Sequence, residues 1–114
     1  MRNRPTTPED EQALRELGDR LESLGLLVGS KPYFGIPGIA AWRPQPPLAP
    51  GEIRPVDRFV FLYASADGWA ARVTPHGGPH WVCSAQSAAA LEEFAVEALG
   101  TTAMPPSEAW RIAD

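Results

Sequence analysis

Residues 58–100 read RFVFLYASADGWAARVTPHGGPHWVCSAQSAAALEEFAVEALG. The pattern runs strand, tight turn, strand, tight turn, strand, amphipathic helix. From Arg58 to Ala64 two apolar sets alternate, Phe59, Phe61 and Tyr63 against Val60, Leu62 and Ala64. Successive strand side chains point to opposite faces, so both faces of this strand have apolar surface to bury. Such a strand belongs in the middle of its sheet. Asp67-Gly68 marks the turn that follows, and the turn type sets which side chains share a face. A three-residue loop with Gly68 left-handed in a bulge sets Ser65 opposite Trp69, Tyr63 opposite Ala71 and Phe61 opposite Val73. One face then collects Phe59, Phe61, Tyr63, Trp69, Ala71 and Val73, while Arg72 and Thr74 point the other way. A two-residue type I′ loop instead pairs Leu62 with Val73 and Tyr63 with Arg72. That register leaves Phe61 and Tyr63 on a mixed, partly exposed surface, which would then lead as a binding-site candidate. The three-residue loop separates apolar from polar more cleanly and is the register expected.

Downstream, Pro75-His76-Gly77-Gly78-Pro79 is a second turn and His80–Cys83 a short strand. Ser84 or Ser87 caps a helix whose Leu91, Phe94, Ala95, Ala98 and Leu99 form an apolar stripe ending at Gly100. The tail after it, residues 101–114, is expected to be loosely ordered, with Trp110 folded back onto the body. Upstream, Thr7-Pro8-Glu9-Asp10 has the marks of a helix start: a hydroxyl cap, proline in the first turn, and acids at the positive end of the dipole. Leu14, Leu17, Leu21 and Leu24 follow at helical spacing, Glu11–Arg15 and Glu16–Arg20 are i,i+4 pairs, and Gly25 closes the helix. Residues 1–6 read as a frayed tail. From Leu26 to Arg43, Gly29, Pro32, Gly35, Pro37 and Gly38 interrupt any long element. An irregular stretch and then a short strand over Ile36–Arg43, near the sheet edge, is expected. Pro44 to Pro55 is a stiff proline-rich crossover, residues 44–55, and lacks the arginine phasing of a typical SH3 ligand. The fold class is therefore α+β in a single domain: an N-terminal helix, an antiparallel meander of about four strands, and a C-terminal helix, with both helices packed on one face.

Composition narrows the function. The chain has 114 residues, a hydrophobic fraction of 44% and a net charge of -4, which suits one ordinary core and argues against a nucleic-acid binder. Arg43, Arg54, Arg58 and Arg72 are spread over strands and loops, not gathered in a patch. Nine of the ten basic residues are arginine and alanine is abundant, a codon bias that suggests a bacterial source. No apolar run follows the N-terminal arginines and no segment nears the ~20 apolar residues of a membrane span, so a cytoplasmic protein with no membrane partner is expected. With Cys83 alone, no intramolecular disulfide can form.

Candidate chemistry is thin. His76, His80 and Cys83 have zinc-capable side chains in an H-x3-H-x2-C spacing, but a structural site usually takes four ligands, and His80 and Cys83 point to opposite faces of a strand. Cys83 lacks an oxyanion donor and an orienting acid. Asp57 and Asp67 sit at opposite ends of one strand, Glu92, Glu93 and Glu97 read as the solvated face of the second helix, and Gly77-Gly78 precedes a strand, so it is no phosphate cradle. No catalytic residue, metal or cofactor is assigned.

The strands-then-helix order resembles that of small accessory proteins of peptide synthetases, without their tryptophan spacing. The overall α–β-meander–α order is similar to that of bacterial immunity proteins and secretion chaperones. These likenesses are architectural; the scarcity of polar constellations, the acidic charge and the aromatic and proline-rich stretches point to a non-catalytic protein-binding module, of accessory, chaperone or immunity type, whose partner is another protein. Its contact candidates are Tyr33, Phe34, Trp42, Trp69, Trp81 and Trp110, since interface energy concentrates in aromatic anchors. The alternative is a small-molecule-binding protein or minor enzyme with a pocket between the sheet and the Tyr33–Trp42 stretch. An exposed edge strand would also admit a second copy of the chain.

Overall fold

A computed structural model of the chain describes residues 6–30, 36–45, 48–52, 58–66, 68–73, 78–101, 103 and 105–113. The first helix, α1, spans Pro8–Ser23. Thr7 and Asp10 form a reciprocal cap: Asp10 N–H donates to Thr7 Oγ1 at 3.1 Å and Thr7 N–H donates to Asp10 Oδ2 at 3.0 Å. Two donors that the helix itself cannot satisfy are thereby paired. At the other end Gly25 takes a φ of +92°, and the amides of Gly25 and Leu26 donate back to the carbonyls of Glu22 and Leu21. This left-handed closure favours glycine. Leu14, Leu17 and Leu21 are buried as their spacing requires, but Leu24 is 58% exposed. It occupies the C-cap position, just beyond the last residue of the helix.

Among the described residues six strands follow where about four were expected. They are β1 (Leu27–Gly29), β2 (Gly38–Trp42), β3 (Phe59–Ser65), β4 (Gly68–Val73), β5 (Trp81–Ala85) and β6 (Arg111–Ile112), paired antiparallel in chain order. Helix α2, Ala88–Leu99, lies between β5 and β6 with Ser87 as its N-cap. The two extra strands are the outermost ones, three and two residues long, too short for alternation to reveal them. The proline-rich crossover also contains a tight turn. Glu52 N–H donates to the Ala49 carbonyl at 2.9 Å, and Gly51 has φ +79°, the positive value required after proline in a type II turn.

The β3–β4 register departs from both sequence-based alternatives. Ser65 pairs with Gly68, Ala64 with Trp69, Leu62 with Ala71 and Val60 with Val73. Only positions 66 and 67 connect the strands, and Asp67 lies outside the described residues. Gly68, φ +120°, is therefore a paired strand residue and not a bulge. Trp69, Ala71 and Val73 consequently share a face with Val60, Leu62 and Ala64, not with Phe61 and Tyr63.

Both helices cover that face. Leu14, Leu17 and Leu21 of α1 and Leu91, Ala95, Ala98 and Leu99 of α2 pack into one cluster with Ile39, Val60, Leu62, Trp69, Val73 and Cys83. Arg58 supports the end of α2, its Nη1 donating to the Ala98 carbonyl at 2.9 Å, where a cation also complements the helix dipole. The expected i,i+4 pairing of Arg20 is replaced by a bridge between helices, Arg20 Nε to Glu92 Oε1 at 3.0 Å. Arg15 Nη2 donates to Gln12 at 2.8 Å. On the opposite face Phe61, Tyr63, Ala70 and Val82 form a second buried cluster, against which Ile36, Phe59 and Ala113 pack. Among the described residues no helix is long and apolar enough to cross a membrane.

Candidate functional site

The aromatic residues divide by depth. Trp69 and Trp110 are core side chains on the helix-covered face. The Trp110 indole donates from Nε1 to Glu97 Oε1 at 2.8 Å and stands edge-on to Phe94, ring centroids 6.3 Å apart. Trp81 is half-buried against the same cluster, with its Nε1 buried and finding no partner among the described residues. Tyr33 and Phe34 lie outside the described residues. Phe61 and Tyr63, the pair that would have led as a binding surface in the two-residue register, are 1% and 0% exposed and stacked on each other at 5.3 Å. They form no accessible face.

Trp42 is different. Cross-strand pairing places Leu27 opposite Trp42 and Trp42 opposite Phe59, so the three line up in one row across β1, β2 and β3. Their neighbours Val28, Ala41 and Val60 point into the helix-side core, so the row lies on the face away from the helices. Trp42 and Phe59 are half-buried, and Leu27 at the sheet edge is 46% exposed. Glycine at position 29 makes room for the indole: a β-carbon there would stand 3.1 Å from Trp42 Cη2. Sequence reasoning found Trp42 but not its partners. Leu27 fell in a stretch expected to be irregular, and Phe59 was taken as part of a continuous core face. The signal for Leu27 was the apolar run Leu26-Leu27-Val28 directly after the helix-closing Gly25.

A cleft of about 400 Å³ opens beside the same edge strand, between α1 and the start of β2. Val28 and Ile39 line its floor, and Glu11, Arg15, Asp19 and Glu22 stand along its α1 wall.

Of the zinc-capable residues, His80 and Cys83 are not brought together. His76 lies outside the described residues. The His80 ring lies 3.1 Å, Nδ1 to Nη1, from Arg72, while Cys83 is in the helix-side core. A guanidinium only donates, so Nδ1 of His80 is the acceptor in this contact. Arg72 Nε and Ser65 Oγ are buried with no partner among the described residues. Burial, and next the charge of Glu97, push the Cys83 thiol up to about 11, partly opposed by Arg111. At pH 8 an ordinary thiol with the reference value of 9.0 would hold about a hundredfold more thiolate than one at about 11. Native protein should therefore resist an aromatic disulfide reagent at pH 8, and guanidinium-unfolded protein should react fully within minutes. Rapid native labelling would show that Cys83 is not enclosed. Because the folded thiol ionises near 11 and the unfolded one near 9.0, the stability tied to its neutral form is complete below pH 9 and is lost as pH rises through 11.

Glu97 was read as part of a solvated helix face and is instead a half-buried clamp, accepting from both Ser107 Oγ at 2.6 Å and Trp110 Nε1. Its partners lie ten and thirteen residues away in sequence, outside any helical spacing rule. No family model, curated protein or solved structure matches the chain.

Proposed function

We propose that this chain is a non-catalytic protein-binding module whose contact surface is the Leu27–Trp42–Phe59 row at the β1 end of the sheet. The observation that carries the reading is the graded exposure of that row, which leaves a tryptophan and a leucine accessible where the sheet ends. A partly desolvated aromatic beside an exposed aliphatic is the kind of anchor on which interface energy concentrates. Its location at the rim also leaves the main-chain edge of β1 reachable from the same side.

The test is capture from the source cells with tagged protein, followed by native mass measurement of the eluate. One stoichiometric protein partner is expected, and it should be lost from Trp42→Ala while that variant keeps its circular dichroism and melting transition. A bare chain carrying a small added mass would overturn this reading. It would favour the second one, a small-molecule site in the cleft, whose volume of about 400 Å³ falls within the usual range for such pockets. The charged α1 wall argues for the protein partner, since small-molecule pockets are lined mostly by apolar side chains.

A further inference from the structure

We infer that the outer edge of β1, next to the cleft that α1 forms with Val28, Ser30 and the start of β2, is a strand-addition site for an extended segment of a partner protein that alternates basic and apolar residues. This rests on the protein-binding reading above and names the chemistry of the partner. Strand β1 is the outermost strand on its side of the sheet among the described residues, paired with β2 through one edge only. A strand in that position offers its other edge to an added chain. The cleft runs beside it. The wall residues Glu11, Arg15, Asp19 and Glu22 are spaced by four, four and three positions, so they form one row along the helix. All four are exposed. Three carboxylates against one guanidinium leave the row with two net negative charges.

An added strand would turn alternate side chains to the two sides of the sheet. Those on the helix side would meet the acidic row, and lysine or arginine there is complementary. Those on the other side would meet Leu27 and Trp42, where an apolar side chain is complementary. The two surfaces thus specify two alternating residue classes from independent observations.

A second copy of the chain fits less well. Antiparallel pairing of two β1 edges needs a two-fold axis perpendicular to the sheet, which keeps both helix layers on the same side and sets the two α1 acidic rows against each other. The net charge of -4 on each chain adds to that repulsion.

The probe is a fluorescein-labelled peptide of alternating lysine and valine, followed by anisotropy on the full chain at low salt, with amide hydrogen exchange read at Leu27–Gly29. Binding is expected, with new protection at those amides. Binding should weaken by at least about ten-fold in the double variant Asp19→Lys/Glu22→Lys, whose exposed positions leave the core untouched. A lysine–proline peptide has the same charge and few strand-forming amides, so it separates strand addition from plain attraction. It and a glutamate–valine peptide should each bind at least about ten-fold more weakly. No binding of the lysine–valine peptide, equal binding of the lysine–proline peptide, or unchanged affinity in the double variant would each overturn the inference. A cellular partner that depends on Trp42 but ignores the double variant would also overturn it, leaving the protein-binding reading standing. Absence of any partner would remove that reading itself.

Discussion

Replacing Trp110 with alanine is expected to destabilise the fold by about 3–5 kcal/mol, the range for truncating a buried tryptophan. The indole is 4% exposed, packs in the main core cluster and donates to Glu97. Truncation removes its buried area, its edge-on contact with Phe94, and one of the two donors to Glu97 Oε1, the other being Ser107 Oγ. The last loss adds to the first two, because a half-buried carboxylate deprived of a donor loses a charge-assisted hydrogen bond. The residue also sits immediately before β6, whose Arg111 and Ile112 pair with Val82 and Trp81, so the sixth strand should loosen with it. Trp110→Phe keeps an aromatic ring in the core but removes the N–H and part of the buried volume; the lost hydrogen bond to the carboxylate alone is expected to cost about 1.5–3 kcal/mol. Urea unfolding of the two variants gives the order directly. If Trp110→Ala loses less than about 1 kcal/mol, the tail is not part of the folded core and the clamp on Glu97 is not formed in solution.

That result bears on what the sequence could and could not convey. Thr7, Pro8 and Asp10 encode the start of α1 in adjacent residues, and Gly25 encodes its end, so both were legible from local chemistry. The same is true of Gly100 for α2, whose cap is Ser87, one of the two serines the pattern offered. The central position of β3 followed from seven residues, apolar on both faces apart from the terminal serine. The face assignment did not, for a related reason. When both faces of a strand are buried, alternation carries no information about which one meets the helices, and the turn alone decides. The turn here closes one residue earlier than Asp67-Gly68 suggests, and Ala70 and Ala71 are small enough to suit either side. Glu97 and Leu27 escaped periodicity rules for a different reason. A carboxylate on a helix takes its role from a tail ten and thirteen residues on, and a three-residue edge strand is too short for alternation to mark it.

The candidate site shows the same division. Trp42 was a contact candidate from its residue type alone, as were Trp69, Trp81 and Trp110, yet only register separates it from the core tryptophans. Pairing with Leu27 on one side and Phe59 on the other puts its indole at the rim. Trp69, paired with Ala64 and Ala85, has its indole beneath the helices. Function at a surface of this kind depends on long-range pairing, which a local pattern does not encode.

Gly38→Ala is expected to destabilise the protein by about 1–3 kcal/mol, the usual range for overpacking a core. The direction is informative, because glycine inside a strand is ordinarily a weakness and alanine would gain about 0.4–1 kcal/mol by restricting the unfolded chain. At Gly38 that gain is outweighed. A β-carbon there would run into the Leu62 carbonyl oxygen and stand 2.7 Å from Phe61 Cζ and 2.9 Å from Cε1. The carbonyl belongs to the backbone of β3, so it yields only if β2 and β3 separate. The phenyl ring is held by its stack on Tyr63, with both rings buried, so it has nowhere to turn. Gly29→Ala provides the comparison within the same sheet, since its only close neighbour is the half-exposed Trp42 ring at 3.1 Å, the far end of a side chain that can swing outward. Thermal melts should therefore place Gly29→Ala near the wild type and Gly38→Ala well below it, with Gly38→Val lower still. Near-equality of the two alanine variants would mean that β2 does not lie against Phe61. The second cluster beneath the sheet would then need a different cover, and the face bearing Trp42 a different shape.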